Sequence, residues 1–438
     1  MGLALFSILL VLVVSLALFA SYLLVRILRI YARARRLETM RGYETILYAA
    51  LQKVSPEKTL ETLLPDPDRD ALEEVLLRMG DEGAEGVKEK VIALYGLAGF
   101  RERRLRQLRS RRKSRRSDAA RRLGRIGDPD SVPELKTLLA DPREEVREAA
   151  LFALGRIGTR QALEAMLDGL EGGGRWSQEK VAEAVEEAGD ESRAVLVELL
   201  GSADPRHRAL AAEVLGGVGG EEVARRLEEA LRDGEVDVRA RAASSLGRMA
   251  RPGSRRALAA ALEDPAWEVR AQAARALGRI GEGEDAPLLA RALRDPEWWV
   301  RNNAAEALRE TGAAGEALLV EALWSEDRFA RETAALALEE SGAVERMMRE
   351  LGGQGERARA ERVVRRLAEM GCVGTIIQVF LDLPPGGLKN DLRDLLAGSG
   401  SRELEDVLED YARARGGAAE GEDVREDGAG AGEEEGRG

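Results

Sequence analysis

An all-α solenoid of stacked helical hairpins behind a single transmembrane helix is the fold class this sequence predicts, on three observations. Ala, Leu, Arg, Glu and Gly dominate the composition and aromatic residues make up only 4%, which favours helix over strand. A phrase of about 31 residues recurs along most of the chain. Residues 2–25 carry no charged side chain.

The apolar leader comes first. The stretch "GLALFSILLVLVVSLALFASYLLV" has sixteen Leu, Ile, Val or Phe among its 24 residues. As a helix it spans about 36 Å, against about 30 Å for the hydrocarbon core of a bilayer. It lacks the positive n-region and small-x-small cleavage site of a secretory signal, so residues 1–25 are expected to stay as an anchor. Arg26, Arg29, Arg33, Arg35 and Arg36 follow it at once. By the positive-inside rule they place the remainder of the chain on the cytoplasmic side of the cell's inner membrane, with the N-terminus outside. The same arginines are candidates for contact with anionic lipid headgroups.

Residues 26–83 are expected to form a helical cap or stalk, punctuated by Ser55-Pro56 and "PDPD" at 65–68. The repeats then occupy residues 84–400. "DPREEVREAALFALGRIG" (141–158), "DGEVDVRARAASSLGRMA" (233–250), "DPAWEVRAQAARALGRIG" (264–281) and "DPEWWVRNNAAEALRETG" (295–312) are the clearest copies. One arginine marks the register: Arg147, Arg208, Arg239, Arg270, Arg301 and Arg331, with steps of 31, 31, 31 and 30 from Arg208 onward. A degenerate copy centred on Gln178 fills the wider gap, and Arg116 continues the series backwards. About ten copies result. In each, the second helix is expected to start at Asp-Pro, with Asp as cap and Pro as first helical residue. Asp141 and Glu144 have the spacing of a capping box. The last glycine of "GRIG" is expected to end the helix. The marker arginines, recurring with Asp141, Asp204, Asp233, Asp264, Asp295 and Asp327, predict an Arg–Asp ladder between adjacent repeats.

The "DPxxxVRxxAAxALGRIG" wording resembles the short HEAT-like repeats first associated with phycobilin lyases, which are widespread in bacterial proteins. The resemblance implies a right-handed α-solenoid of about ten HEAT-like hairpins, in which the second helices line a concave surface. It further implies a protein-binding scaffold. The combination of anchor, basic juxtamembrane helix and repeats is similar to membrane-tethered bacterial HEAT proteins that accompany polysaccharide-synthesis enzymes. An integral-membrane glycosyltransferase is the kind of partner this implies.

Within the first repeat, "RERRLRQLRSRRKSRR" (101–116) holds ten basic residues and one acidic residue. Three fates are open to it: a solvated cap face, docking on anionic lipid through Arg111, Arg112, Lys113 and Arg115, or a grip on nucleic acid. The formal net charge of −12 and the absence of aromatic residues in the run disfavour nucleic acid. At the other end a terminal helix is expected over 401–414. The Gly/Glu-rich tail, 415–438, lacks large apolar residues apart from Val424 and is expected to be disordered.

Catalytic raw material is scarce. One cysteine (Cys372) and one histidine (His207) leave no disulfide framework, no N/S zinc site and no Ser-His or Cys-His pair. Neither cofactor, metal nor catalytic residue is assigned, and an enzyme of the bilin-lyase type is the alternative that this scarcity disfavours. A binding surface is better supplied. Trp267 and Trp298 both stand three positions before a marker arginine and Trp299 stands two before. Asn303 and Glu306 share a helical stripe with Trp299, and the same stripe on earlier copies carries Arg241, Gln272, Arg275 and Arg279. Aromatic anchors beside arginines are what interface hot spots use. This stripe is the expected partner-binding groove, the alternative being that the indoles seal repeat edges.

Overall fold

A computed structural model describes the backbone of residues 2–413 apart from 54, 57, 60–67, 83–85, 172–176, 282, 352–356 and 385. The side chains of residues 2–15 and the whole of the expected tail, 415–438, lie outside the described residues. Among the described residues there are helices and no strands.

The chain divides into two compact units, residues 1–218 and 219–438. The first contains α1 (Gly2–Lys53), α2 (Arg69–Glu82), α3 (Lys88–Leu97), α4 (Phe100–Leu108), α5 (Lys113–Ile126), α6 (Val132–Leu138), α7 (Glu144–Ile157), α8 (Arg160–Glu171), α9 (Gln178–Ala188), α10 (Asp190–Glu198) and α11 (Pro205–Val218). The second contains α12 (Glu221–Ala230), α13 (Val236–Met249), α14 (Arg255–Ala261), α15 (Trp267–Ile280), α16 (Ala286–Ala292), α17 (Trp298–Glu310), α18 (Ala313–Ala322), α19 (Arg328–Glu340), α20 (Ala343–Glu350), α21 (Arg357–Glu369), α22 (Gly374–Asp382), α23 (Gly387–Leu396) and a last helix over 402–413. From α4 onward the helices alternate as first and second members of hairpins. Second helices stack on one another, α5 on α7 in the first unit and α13 on α15 on α17 in the second. Each unit is thus an α-solenoid whose core is a seam of alanines and leucines, such as Ala273, Ala274 and Leu277 on α15.

The helix α1 behaves as two segments. Met40, Leu47, Ala50 and Leu51 are buried, and this end packs on α2. Upstream, Leu16, Leu18, Phe19, Tyr22, Leu24, Ile27, Leu28, Ile30 and Tyr31 are all exposed. Most of the expected span at 2–25 falls on residues whose side chains are not described, and among the described residues no helix is long and apolar enough to cross a membrane.

Two glycines in "GRIG" have different tasks. The last one ends the helix in the left-handed region, at Gly127, Gly158 and Gly281. Ala250 takes that place in "GRMA" with φ of 47°, the sole non-glycine at positive φ among the described residues. The first glycine is a packing notch the sequence reading missed. A Cβ built on Gly247 would lie 2.8 Å from Ala276 Cα, and one on Gly278 would lie 2.7 Å from Ala307 Cα. Only hydrogen fits where consecutive second helices touch.

The Asp-Pro expectation needs correction. Helices start at Glu144, Trp267 and Trp298, not at the Asp-Pro. The carboxylates of Asp141, Asp264 and Asp295 accept from the backbone N–H two residues on, at 2.9, 2.8 and 2.9 Å, which makes a turn upstream of the helix. Their oxygens are also held by the preceding repeat's arginine, which fixes the aspartate away from a capping position. The capping box of Asp141 and Glu144 therefore does not form, and Glu144 is itself the first helical residue. The Asp-Pro start holds at Asp204, where α11 begins at Pro205; at Asp327, which Arg328 follows in place of a proline, the aspartate alone caps α19 by accepting from Ala330 N–H at 2.8 Å.

The Arg–Asp ladder is present. Arg116, Arg239 and Arg270 each form two bonds, of 2.7–3.0 Å, to the aspartate 25 residues on: Asp141, Asp264 and Asp295. The remaining guanidinium nitrogen turns back and donates to the carbonyl six residues before it, as Arg239 does to Asp233 and Arg270 to Asp264, both at 2.9 Å. Each such arginine thus stitches its own inter-helix turn to the next repeat. Arg301 keeps the backward bonds, to Asp295 and Pro296, but its guanidinium lies over the Phe329 ring at 4.6 Å.

Candidate functional site

The tryptophan stripe lies within the second unit. Trp298 and Trp299 open α17, each about half exposed at 51% and 55%. Their rings meet edge-on with centroids 4.7 Å apart, an arrangement that stiffens both. Trp267 opens the adjacent α15 and is half-buried. Arg275, Arg279 and Glu306 are exposed and, among the described residues, no ion pair engages them, while Gln272 is half-buried. Two expected groove residues are occupied internally. Asn303 Nδ2 donates to Ala271 O at 2.9 Å, bracing α17 against α15, and Arg241 pairs with Asp237 at 3.0 Å. The surface left for a ligand is therefore Trp298, Trp299, Arg275, Arg279 and Glu306, with Trp267 and Gln272 at its edge.

Sequence reasoning missed how far this surface continues. Phe329 and Leu336 on α19 are 56% and 50% exposed. The register carried the signal: Phe329 stands two before Arg331, as Trp299 stands two before Arg301, and Leu336 corresponds to Glu306.

The basic run of 101–116 separates into two populations. Arg104 is buried and forms a two-bond pair with the equally buried Glu73, at 2.5 and 2.7 Å. Tyr95 donates to the same carboxylate at 2.9 Å. Burial alone would push the Glu73 carboxyl up, but these bonds and the Arg104 charge outweigh it and hold it down; burial and the Glu73 charge push the Tyr95 phenol up. Arg101 grips Asp128, Arg116 grips Asp141, and Lys113 pairs with Glu145 at 3.0 Å. Lys113 is thereby the one member of the expected lipid-contact set in this run that an internal partner holds. Arg111, Arg112 and Arg115 are exposed, as are Arg106 and Arg109, and among the described residues no ion pair engages them. On α1, Arg26, Arg29, Arg35 and Arg36 are exposed, while the Arg33 side chain lies outside the described residues.

His207 has a partner that its spacing did not suggest. Its Nε2 lies 2.9 Å from Asp168 Oδ1, and Lys136 Nζ lies 2.7 Å from the other oxygen. Burial works to raise the Asp168 pKa, but bonds from Lys136 and His207 overcome it and lower it. The triad ties α6, α8 and α11 together. Cys372 is half-buried, and burial raises its thiol pKa, away from thiolate chemistry. Among the described residues no group of three or more His, Cys, Asp or Glu side chains is placed to hold a metal ion.

The family comparison agrees with the helical-hairpin architecture. A family model for HEAT repeats matches residues 101–177, 173–246 and 226–309. Three solved structures are similar over long stretches. An engineered protein from the Northeast Structural Genomics Consortium is 21% identical, covers 80% of this chain and 100% of its own, and has a TM-score of 0.32. YibA of Escherichia coli is 18% identical over 66% of this chain and 98% of its own, with a TM-score of 0.32. Human deoxyhypusine hydroxylase, solved with glycerol, is 23% identical over 70% and 98%, with a TM-score of 0.26. No curated protein matches. Residues 101–309, the stretch that matches the HEAT-repeat model, are a run of helical hairpins.

Proposed function

We propose that this protein is a membrane-tethered, non-enzymatic scaffold whose second unit holds a cytoplasmic segment of an integral-membrane protein. The observation that carries the reading is the row of half-exposed aromatic and aliphatic side chains, Trp298, Trp299, Phe329 and Leu336, standing on helices whose other faces are packed. A rigid apolar patch rimmed by Arg275, Arg279 and Glu306 has the composition of an interface hot spot. Rigid anchors lose little side-chain entropy on binding. The tether rests on α1, where exposed apolar side chains run from Leu16 to Tyr31 with Arg26 and Arg29 among them and further arginines after them. An apolar surface of that kind is stable in lipid, and anchoring raises the local concentration of any partner in the same bilayer.

The test is affinity capture of the intact protein from mild detergent, followed by mass spectrometry. The expected result is an integral-membrane protein that is lost when Trp299→Ala and Arg275→Ala are combined, with the helical circular-dichroism signal unchanged. Capture that survives the double variant, or a protein that carbonate washing strips from membranes, overturns the reading.

A further inference from the structure

The first unit carries a basic corner that partner binding in the second unit does not use. Arg106 and Arg109 stand at the end of α4, Arg111 and Arg112 in the turn, and Arg115 in the first turn of α5. All five are exposed and, among the described residues, no ion pair engages them. No carboxylate interrupts residues 103–117. Nearby, Asp118 already holds Arg104 and Arg122, Asp141 holds Arg116, and Glu145 holds Lys113. The exposed pair Arg275 and Arg279 differs, since Glu306 and Glu310 stand at the same register on the next helix. The α4–α5 corner turns an unopposed positive field to its surroundings.

The fold sets this corner beside the helix that bears the exposed apolar run. The two meet on the first turn of α2. There Asp68 N–H donates to the Tyr43 hydroxyl of α1 at 2.9 Å, and Arg69 donates to the Ala98 carbonyl at 2.7 Å and lies over the Phe100 ring at 5.2 Å. Asp70 pairs with Arg103 at 3.6 Å, one turn of α4 before Arg106. In the other direction, Tyr31 stands twelve residues before Tyr43 on one unbroken helix. Tyr43 is therefore no more than about 18 Å beyond the apolar run, and the tilt of a spanning helix, about 20° on average, brings it lower. A continuous helix does not let the first unit drift from the bilayer as a coiled linker would.

We propose that the α4–α5 corner docks on the anionic headgroups of the bilayer that holds α1. The inference rests on the tether proposed above and gives it a second point of attachment, which fixes the rotation of the first unit about the α1 axis. Guanidinium groups are drawn to an anionic surface within about a Debye length, about 8 Å at physiological salt, and pair there with phosphate oxygens. The tether supplies the proximity that such short-range attraction needs. A membrane suits the corner better than nucleic acid does, because exposed apolar side chains share its unit and residues 101–116 hold no aromatic ring to stack on bases.

The experiment uses the full chain with Cys372→Ser and Ser114→Cys, a fluorophore on the new thiol, and vesicles containing a lipid spin-labelled at its headgroup as quencher. Ser114 is exposed beside the five arginines. Phosphatidylcholine vesicles are compared with vesicles of phosphatidylcholine and phosphatidylglycerol. Quenching is expected to be several-fold stronger in the second, and to be relieved at about 1 M salt, where the Debye length falls to about 3 Å. Arg109→Glu, Arg111→Glu and Arg112→Glu together are expected to abolish the difference. Arg109→Lys, Arg111→Lys and Arg112→Lys together are expected to keep it, with circular dichroism unchanged in both variants. Equal quenching in the two lipids, or quenching that survives the charge reversal, overturns the proposal. So does an unquenched label on protein that floats with anionic vesicles, which makes the corner a solvated face. An unquenched label with salt-sensitive retardation of duplex DNA, lost on the same reversal, gives the corner to a nucleic acid and also overturns it. The tether is read separately: protein that fails to float with neutral vesicles overturns the anchoring of α1, while quenching in anionic vesicles still decides the corner.

Discussion

The junction of α15 with α17 and the junction of α17 with α19 are built from the same repeat and end up different. At the first, Gly278 lets Ala307 approach to contact and Arg270 pins Asp295 with two bonds. At the second, Arg309 stands where the notch glycine should be and pairs across to Glu340 at 2.8 Å, and the ladder position of Arg301 faces Phe329. One residue is also missing from the spacing, 30 in place of 31. The regular junction spends its side chains on holding the stack together. The irregular one leaves Trp299, Phe329 and Leu336 at the surface. Repetition supplies the frame, and the departure from it supplies the surface.

The comparison can be broken most forcefully at the notch. Gly278→Leu is expected to cost about 3 kcal/mol by overpacking, seen as a fall in the urea midpoint of the second unit. Arg309→Leu, at the corresponding place in the next repeat, is expected to stay within about 0.5 kcal/mol. Equal losses would erase the distinction.

The rungs come next. Arg270→Ala removes two charge-assisted bonds and strands Asp295, a loss of about 2 kcal/mol. Phe329→Ala at the other junction is expected to lose about 1 kcal/mol, and chemical denaturation of both variants orders them.

Acid sharpens the same contrast. Burial works to raise the pKa values of Asp264 and Asp295, but the bonds from Arg239 and Arg270 and from the turn N–H groups hold both below the usual aspartate value. With the folded pKa depressed, the rungs contribute fully above the unfolded value near 4, and that contribution is lost as pH falls through the lower folded one. The Asp295→Asn variant starts less stable and is expected to lose less on going from about pH 5 to pH 2. A parallel decline of both proteins in thermal melts would detach the rungs from acid sensitivity.

The smallest expected effect is a gain. Ala250→Gly relieves a left-handed alanine and is expected to add about 0.5–1 kcal/mol, visible as a higher melting temperature.

Much of the architecture was legible because one hairpin cannot bury its own apolar stripe, so the repeat had to be written in full each time. The marker arginines and aspartates could be paired in advance because both recur at the repeat period. The helix starts were misjudged because an aspartate in Asp-Pro serves the turn and the neighbouring arginine before any helix end, a preference that a local pattern does not show. The pairing of His207 with Asp168 spans 39 residues across the degenerate copy centred on Gln178, and nothing in the spacing announces it. Phe329 and Leu336 are readable from the register, since they stand where Trp299 and Glu306 stand one copy earlier.

Each two-handed arginine reaches forward to an aspartate and backward to its own turn, which gives the stack a polarity. A break on the C-terminal side of a repeat strips its arginine of the forward acid and leaves a cationic end face. A break on the N-terminal side leaves an anionic one. Fragments from the same cut would therefore carry opposite charge on their fresh surfaces and attract each other, so a nicked stack is inclined to heal in register.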